Sequence, residues 1–97
     1  MIDFEWDPQK EKSNIKKHNI GFREACTIFI DPLGITIFDP DHSIDEDRFI
    51  TIGTSNQNRI IIVAHTDRGN QTRIISAREL TSAERRDYEN EIKKRKT

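Results

Sequence analysis

A stretch near the carboxyl end, from Arg73 to Glu89, combines cationic side chains with the start of a helix (RIISARELTSAERRDYE). Two arginines, Arg73 and Arg78, bracket an apolar run with the composition of a β-strand. The spacing of Thr81 and Glu84 is that of a capping box, which predicts that a helix begins directly after the strand. Guanidinium groups held at the end of a rigid element can bind two oxygens of a phosphate together. The stretch therefore indicates a nucleic-acid ligand.

A candidate acid–base residue, His42, lies in a polar segment between two predicted strands, DHSIDEDR, and such loops commonly carry function. The ordinary pKa of an imidazole, about 6.5, lets it exchange a proton near neutral pH, and Asp41 or Glu46 could orient the ring. The alternative is a surface histidine that caps a turn through Ser43. Glu46 could itself act as a base, although taken alone it is better explained by an ion pair with Arg48.

Cleavage of RNA without a metal ion needs a base that removes the 2′-hydroxyl proton, an acid that protonates the leaving oxygen, and cations that stabilise the phosphorane. The expected product is a cyclic phosphate. We assign His42 and Glu46 to the acid–base roles, and Arg73 and Arg78 to the phosphate. Odd spacing places the two arginines on opposite faces of an ideal strand. This objection weakens if the strand ends near Ala77 and Arg78 turns back.

Other side chains could hold RNA outside the reacting phosphate. Tyr88 could stack on a base, although packing against the sheet is the commoner use of an aromatic residue in such a position. Ser76 shares a strand face with Arg78 and could donate a hydrogen bond to phosphate. The predicted RNA-binding residues are Arg68, Arg85, Tyr88 and Lys17.

The remaining histidines and the single cysteine are assigned structural roles. His18 ends the first predicted helix, where the helix dipole favours a cation, and His65 lies in an apolar strand, where a buried hydrogen bond explains it. Cys26 lies on an amphipathic segment and is interpreted as a small core residue rather than a reactive thiol. Since the spacing of these residues matches no zinc pattern, we expect no metal site and no cofactor.

The composition indicates a small soluble protein of the cytoplasm. The 97 residues suffice for one domain with one modest core, and apolar and charged residues make up 33% and 34% of the chain. No apolar run approaches the ~20 residues that span a bilayer, the N-terminal residues lack the order of a signal peptide, and a lone cysteine permits no internal disulfide. Residues 1–58 hold six Lys/Arg and eleven Asp/Glu, whereas residues 59–97 hold ten and six. This split is compatible with one anion-binding face.

The elements that must position these side chains follow from turn signals and apolar spacing. Asp7 and Pro8 predict the cap and the first residue of a polar helix that ends near His18. A second short helix near Phe22–Phe29 places its apolar residues on one face. Short polar turns join the later strands and favour antiparallel neighbours. The predicted strands are Phe4–Trp6, Ile35–Asp39, Arg48–Thr54, Arg59–Thr66 and Gln71–Ala77, and the closing helix begins near Ser82.

These elements predict a single α+β domain over residues 1–97. It contains two N-terminal helices, an antiparallel sheet of about four strands and a C-terminal helix. The apolar stripe of the last helix is thin, so we expect it to pack through few contacts and to fray beyond about residue 90.

Six phrases occur in one order along the chain: FEWDPQK, KHNIGFREA, IFIDP, DHSIDEDRFITIG, RIISAREL and ERRDYE. Together they resemble the BrnT family of toxins from bacterial type II toxin–antitoxin operons, over roughly Phe4 to Glu89. The resemblance implies a RelE/ParE-like fold, with helices packed on an antiparallel sheet. One departure is Glu46-Asp47, where the family commonly has two glutamates, and the shorter aspartate is expected to hold a surface position.

The resemblance also implies an activity and partners. Such toxins are ribonucleases that block translation, and they are neutralised by a cognate antitoxin, BrnA, which carries a ribbon-helix-helix DNA-binding domain. The complex represses its own operon, so we expect operator DNA to be bound only through the antitoxin. The expected partners are thus an RNA substrate and a BrnA-like antitoxin in a hetero-oligomer, with no membrane. An acidic or mixed antitoxin helix that covers the basic edge would block RNA by occupation.

A second function stays open on the same scaffold. The chain could be a non-catalytic toxin or binding module that holds a protein target such as a topoisomerase, as ParE-like relatives do. A ribonuclease predicts that His42→Ala or Arg78→Ala abolishes toxicity while the fold and antitoxin binding remain. A pure binder predicts tolerance at His42, with losses only at the contact surface.

Overall fold

The computed structural model describes residues 2–96 of the chain, and over this range the elements follow the predicted order. The helices are α1 (Pro8–His18), α2 (Phe22–Thr27) and α3 (Ser82–Lys96). The strands are β1 (Asp3–Trp6), β2 (Ile35–Phe38), β3 (Arg48–Thr54), β4 (Ile60–Arg68) and β5 (Gln71–Glu79). Two short 3₁₀ helices follow α2 and β2, at Ile28–Ile30 and Pro40–His42.

One mixed sheet contains these five strands in the order β1-β5-β4-β3-β2. Strands β2 to β5 are antiparallel to their neighbours, as the short turns predicted, but β1 runs parallel to β5 with Trp6 opposite Ile74. The predicted antiparallel sheet of about four strands is therefore wrong in strand number and in the direction of one strand. The reason is that β1 pairs with a strand near the other end of the chain, and no local pattern specifies such a partner.

The core lies on one face of the sheet. Ile61 and Val63 of β4 and Ile74 of β5 are fully buried there. They form one cluster with Phe22 and Ala25 of α2, so the apolar face predicted for this helix is confirmed. The burial of these side chains supplies the main apolar contribution to stability.

The opposite face of the sheet is only partly covered. It carries Ile50 of β3 together with Ile62 and Ala64 of β4, all of intermediate exposure. We call it the open face. A surface of this kind leaves room for a ligand to lie directly on the strands, in contrast to the packed core face.

A β-bulge in β5 changes which side chains share the open face. Ser76 pairs with Ala64, but Ile74 pairs with His65, which leaves Ile75 as the extra residue in β5. An extra residue of this kind reverses the alternation of side chains beyond it.

The bulge removes the objection raised by the odd spacing of the two arginines. Arg73 is opposite Thr66 and Arg78 is opposite Ile62, two positions that face the same side of β4. The expectation that β5 ends near Ala77 is wrong, because the strand continues to Glu79. Both arginines therefore lie on the open face because of the bulge, and not because the strand ends before Arg78.

Helix α1 bonds to β5 through one buried side chain, Asn14. The buried Asn14 accepts a hydrogen bond from the amide of Ala77 (3.0 Å) and donates one to the carbonyl of the same residue (2.9 Å). Its side-chain amide also donates to the carbonyl of Ile20 (2.9 Å). The Asn14 side chain thus takes the place of a strand partner and fixes α1 relative to β5.

Two predicted helix starts are confirmed by their caps. Asp7 accepts a hydrogen bond from the amide of Gln9 at 2.8 Å. In the capping box of α3, the Glu84 amide donates to the Thr81 hydroxyl (3.2 Å) and the Thr81 amide donates to the Glu84 carboxylate (2.9 Å). These bonds satisfy amide groups that the first turn of a helix leaves unpaired.

Helix α3 contacts the rest of the domain through Tyr88, which is buried and places its hydroxyl 3.5 Å from the carbonyl oxygen of Leu33. Arg95 donates to the same carbonyl at 3.2 Å. The helix continues to Lys96, and the fraying expected beyond about residue 90 stays a prediction. Thr97 lies outside the described residues.

Two residues assigned to the core from the sequence lie there. The Nε2 atom of His65 is 2.7 Å from the Thr51 hydroxyl, so the predicted buried hydrogen bond is confirmed, but Nδ1 has no partner among the described residues. Cys26 packs against the core cluster, and burial raises the pKa of its thiol to about 11. Among the described residues, no helix is both long and apolar enough to cross a bilayer.

Candidate active site

A cleft of about 270 Å³ lies on the open face of the sheet. Its floor is apolar and is formed by Ile50, Ile62 and Ala64, with Ile75 of the bulge completing it. Two candidates from distant parts of the sequence, His42 and Arg78, meet at this cleft. Its polar rim consists of Asp39, His42, Arg48, Ser76 and Arg78.

His42 is oriented by a carboxylate at the rim. Its Nδ1 atom lies 2.8 Å from Oδ2 of Asp39, and the side chains of the two residues are 67% and 16% exposed. When Nδ1 donates to this carboxylate, the neutral ring has its acceptor at Nε2, which has no partner among the described residues. The sequence suggested Asp41 or Glu46 for this orienting role, and that expectation is wrong.

A braced turn carries this pair. The Ser43 hydroxyl donates to the carbonyl of Asp39 (2.6 Å) and accepts from the amide of Arg48 (2.8 Å). The Asp39 amide also donates to the Arg48 carbonyl at 2.8 Å. Both ends of the loop are therefore tied to the start of β3, which fixes the backbone of His42 although its ring is exposed.

Arg78 reaches the other side of the cleft and is held by α3. Its two terminal nitrogens donate to the two carboxylate oxygens of Glu84, at 2.7 and 3.0 Å, and Nη1 also donates to the carbonyl of Glu79 (3.2 Å). The hydrogen bonds from Arg78 and then from Thr81 lower the pKa of Glu84 to about 2. Glu84 raises the pKa of Arg78 in turn. The capping carboxylate of α3 thus also orients a cation at the cleft.

Arg48 is the residue that sequence reasoning missed as a ligand. It is the first residue of β3 and lines the cleft together with His42. Its guanidinium has no hydrogen bond or ion pair with another described residue, so its donors are available to a ligand. The available signal was its place directly after the His42 segment, on a strand whose alternate residues are apolar.

Glu46 lies outside the cleft. Its carboxylate pairs with Arg68 at 3.2 Å and not with Arg48. Glu46 does line a second depression of about 260 Å³ that also includes His42 and Arg48. Glu46, predicted to act in acid–base catalysis, and Arg68, predicted to bind RNA, therefore form an ion pair with each other beside the cleft.

Arg73 and Arg85 are also paired with carboxylates outside the cleft. Arg73 lies 3.5 Å from Glu5, its partner on β1, and Arg85 lies 3.3 Å from Glu89, one turn further along α3. The bulge brings Arg73 to the correct face, but the lining of the cleft does not include it.

The last two predicted RNA-binding residues lie in different surroundings. Tyr88 is only 7% exposed, so packing, the alternative considered from the sequence, describes it better than base stacking. Lys17 lines a second cleft of about 310 Å³ between α1 and β5, together with Lys10. This cleft shares Ile75 and Ser76 with the first one, so the two are contiguous.

The rim combines an oriented imidazole, a hydroxyl and two guanidinium groups around an apolar floor. A phosphate bound by Arg48 and Arg78 would lie close to His42, with Ser76 as a further donor. Among the described residues, no group of three or more His, Cys, Asp or Glu side chains is placed to hold a metal ion. The arrangement suits proton transfer at a phosphodiester.

Comparisons with known proteins assign the chain to a family. The model of a family described as the ribonuclease toxin BrnT of type II toxin–antitoxin systems matches residues 6–84. The fold is similar to the crystal structure of the ribonuclease toxin BrnT of Brucella abortus, with a TM-score of 0.62 and 25% sequence identity over 84% of this chain and 100% of that chain. The comparison with curated protein sequences gave no match. The chain therefore belongs to the BrnT family of ribonuclease toxins of type II toxin–antitoxin systems.

Proposed function

We propose that this chain cleaves RNA by attack of the ribose 2′-hydroxyl on the adjacent phosphate, without a metal ion, and that it thereby inhibits translation. The observation that carries the proposal is the cleft in which the His42–Asp39 pair faces Arg48 and Arg78 over an apolar floor. A proton acceptor and two cations beside one phosphate supply two of the three functions that this reaction requires, and the third is an acid for the leaving oxygen.

His42 is the general base in this proposal. Its Nε2 atom removes the proton of the 2′-hydroxyl, and the Asp39 carboxylate at Nδ1 stabilises the imidazolium that forms. The attacking oxygen then forms a bond to phosphorus while the bond to the 5′ oxygen breaks, which yields a 2′,3′-cyclic phosphate and a 5′-hydroxyl. Because Glu46 is paired with Arg68 outside the cleft, we assign protonation of the leaving oxygen to water and not to Glu46, and the hydroxide that remains takes the proton from the imidazolium, which regenerates the base.

Arg48 and Arg78 stabilise the charge of the phosphorane. A guanidinium has five N–H donors, and Arg78 uses three of them on Glu84 and Glu79. The remaining two can bind phosphate while the carboxylate keeps the group in place. Arg48 has no such partner, so all five of its donors are available to the phosphate.

Regulation follows from membership of the family. We propose that a BrnA-like antitoxin with a ribbon-helix-helix domain neutralises this chain in a cytoplasmic hetero-oligomer, and that operator DNA is bound only through the antitoxin. We also propose that the fold is related to that of the RelE and ParE toxins. An antitoxin segment seated on the open face would exclude RNA by occupation.

The test is end-mapping of RNA that has been incubated with the purified chain in EDTA. We expect cuts with 2′,3′-cyclic phosphate ends from the wild type, and their loss in His42→Ala and Arg78→Ala. Arg86→Ala is the matched control, because Arg86 is exposed on α3 and does not line the cleft. Intact RNA in the presence of EDTA and restored cleavage with Mg²⁺ would contradict metal independence. Intact RNA under both conditions, with toxicity persisting in cells, would favour a toxin that acts by binding a protein target.

A further inference from the structure

We propose that the cleft between α1 and β5 is a second phosphate-binding subsite, which holds the RNA strand beside the reacting phosphate through Lys10 and Lys17. The proposal rests on the proposed ribonuclease function and adds how the substrate strand is held. Its two lysines take no part in the proposed cleavage step.

Contiguity with the cleft of His42 is the first observation. Ile75 and Ser76, at the bulge in β5, line both clefts. A strand that crosses these two residues would pass from the first cleft to the second. The two clefts, of about 270 and 310 Å³, are thus neighbours.

The charge of the second cleft is the next observation. Its lining contains no carboxylate and consists of Gln9, Lys10, Ser13, Asn14, Lys17, His18, Ile75 and Ser76. Lys10 and Lys17 are seven residues apart, so their backbones lie on one side of α1, separated by about 10 Å along the helix. Both side chains are exposed, and neither forms an ion pair or hydrogen bond with another described residue.

Five arginines of the domain differ from these lysines. Each of the following is ion-paired with a carboxylate: Arg59, Arg68, Arg73, Arg78 and Arg85. An ion-paired cation offers fewer donors to a phosphate, whereas an exposed, unpaired lysine binds it as a point charge. The α1 lysines are therefore better placed to bind the backbone of a strand than most of the arginines chosen from the sequence.

The position of α1 is fixed, which makes the subsite part of the domain. The buried Asn14 holds the helix to the β5 backbone at Ala77 through two hydrogen bonds of 2.9 and 3.0 Å. Lys10 and Lys17 lie on adjacent turns to this anchor. The fold thus sets the distance of their backbone atoms from the cleavage cleft.

The occupant to which we commit is the sugar–phosphate backbone of single-stranded RNA. An acidic segment of a protein would also suit two lysines, but the proposed ribonuclease function requires an RNA strand to extend beyond the cleft of His42, and the second cleft adjoins it. Phosphates at regular intervals match cations spaced along a helix, and the exposed Ser13 and Ser76 add neutral donors between them.

The test measures the salt dependence of RNA binding. The probe is a 2′-O-methyl oligoribonucleotide, which keeps its phosphates but lacks the attacking hydroxyl, so the wild type can be used without cleavage. For single strands, each phosphate contact contributes about 0.7 to the slope of log K against log salt concentration. We expect Lys10→Gln/Lys17→Gln to reduce the slope by about 1.4.

The matched control is Lys12→Gln/Lys16→Gln, which removes the same charge from the same helix at positions that do not line the cleft. We expect its slope to equal that of the wild type within error. Equal slopes in the two double variants, with RNA still bound, would overturn the subsite and leave the ribonuclease proposal standing. Absence of RNA binding by the wild type would overturn both. A loss of antitoxin binding in Lys10→Gln/Lys17→Gln with an unchanged RNA slope would overturn the subsite and make this surface a protein interface.

Discussion

Two histidines on opposite sides of the sheet have opposite surroundings. His42 is 67% exposed at the cleft and has a carboxylate on Nδ1. His65 is 5% exposed in the core, with a threonine hydroxyl on Nε2 and no partner for Nδ1. The rings of Phe29 and Phe49 lie against it, at centroid distances of 4.9 and 6.0 Å.

The difference between them is the basis of the proposed division between activity and stability. A histidine that exchanges protons with a substrate needs access to that substrate and a group that orients the ring, and His42 is exposed and bonded to Asp39. Burial lowers the pKa of His65, so this residue favours the neutral form that the core requires. We therefore expect substitutions at His42 to change the activity and substitutions at His65 to change the stability.

Replacement of His42 should have the largest effect on activity. His42→Ala removes the proposed base, and loss of general base catalysis typically lowers a rate by about 10²–10⁴-fold. Because the ring is exposed, the unfolding free energy should change by no more than about 0.5 kcal/mol. Single-turnover RNA cleavage and urea unfolding measure the two quantities. An unchanged cleavage rate would contradict the proposed role of His42.

Replacement of Arg48 should follow with a loss of cleavage of about 10²-fold, the typical cost of removing one donor to a developing charge. Arg68→Ala is the matched control, because Arg68 lies beside the same loop but is paired with Glu46 outside the cleft. Its effect on the rate should be much smaller. Equal losses in the two variants would mean that Arg48 acts only through overall charge.

Replacement of Asn14 tests the hydrogen bonds that join α1 to β5. Asn14→Ala would leave the backbone groups of Ala77 and the carbonyl of Ile20 without their buried partner, and we expect it to lower the unfolding free energy by about 2 kcal/mol. Ser13→Ala, at the exposed neighbouring position, should change it by no more than about 0.5 kcal/mol. The check is urea unfolding, and equal effects would show that the buried hydrogen bonds contribute little.

The pH dependence of stability gives the smallest expected effect and concerns His65 alone. Its pKa is lowered in the folded chain, so on acidification the unfolded chain takes up a proton first. The contribution of His65 to the unfolding free energy should therefore be complete above about pH 6.5, and the unfolding free energy should fall as the pH decreases below that value. Glu84, with a pKa of about 2, remains charged throughout this range. His65→Gln should flatten the profile between pH 7 and pH 5, and a wild-type slope retained in this variant would contradict the assignment.

The local features of the fold could be predicted from the sequence. The bounds of β3 and the start of α3 at Ser82 agree with the prediction, because they depend on alternation and on capping residues that are close in sequence. The same holds for the start of α1 at Pro8. His42 and Arg78 were likewise chosen from local signals, and both line the cleft.

The non-local features could not be predicted in this way. The pairing of β1 with β5 depends on partners that are far away in sequence, and the bulge at Ile75 depends on the register of the β4–β5 hairpin, which the residue pattern did not show. The same reason explains why Arg48 was missed and Arg73 was chosen. Spacing within one strand gave the face of Arg73 incorrectly, and it could not show that Glu5 lies next to it.

The most direct test of the account is an NMR titration of the wild-type chain with a 2′-O-methyl oligoribonucleotide, which binds but cannot be cleaved. We predict that amide shifts change first around the cleft of His42, at Arg48, Ala64 and Ser76, and next in the second cleft, at Lys10 and Lys17 of α1. Amides of the core-side helix α2 should change little. Shift changes confined to α2 or to the far end of α3, with the cleft unaffected, would contradict the claim that the open face is the RNA site.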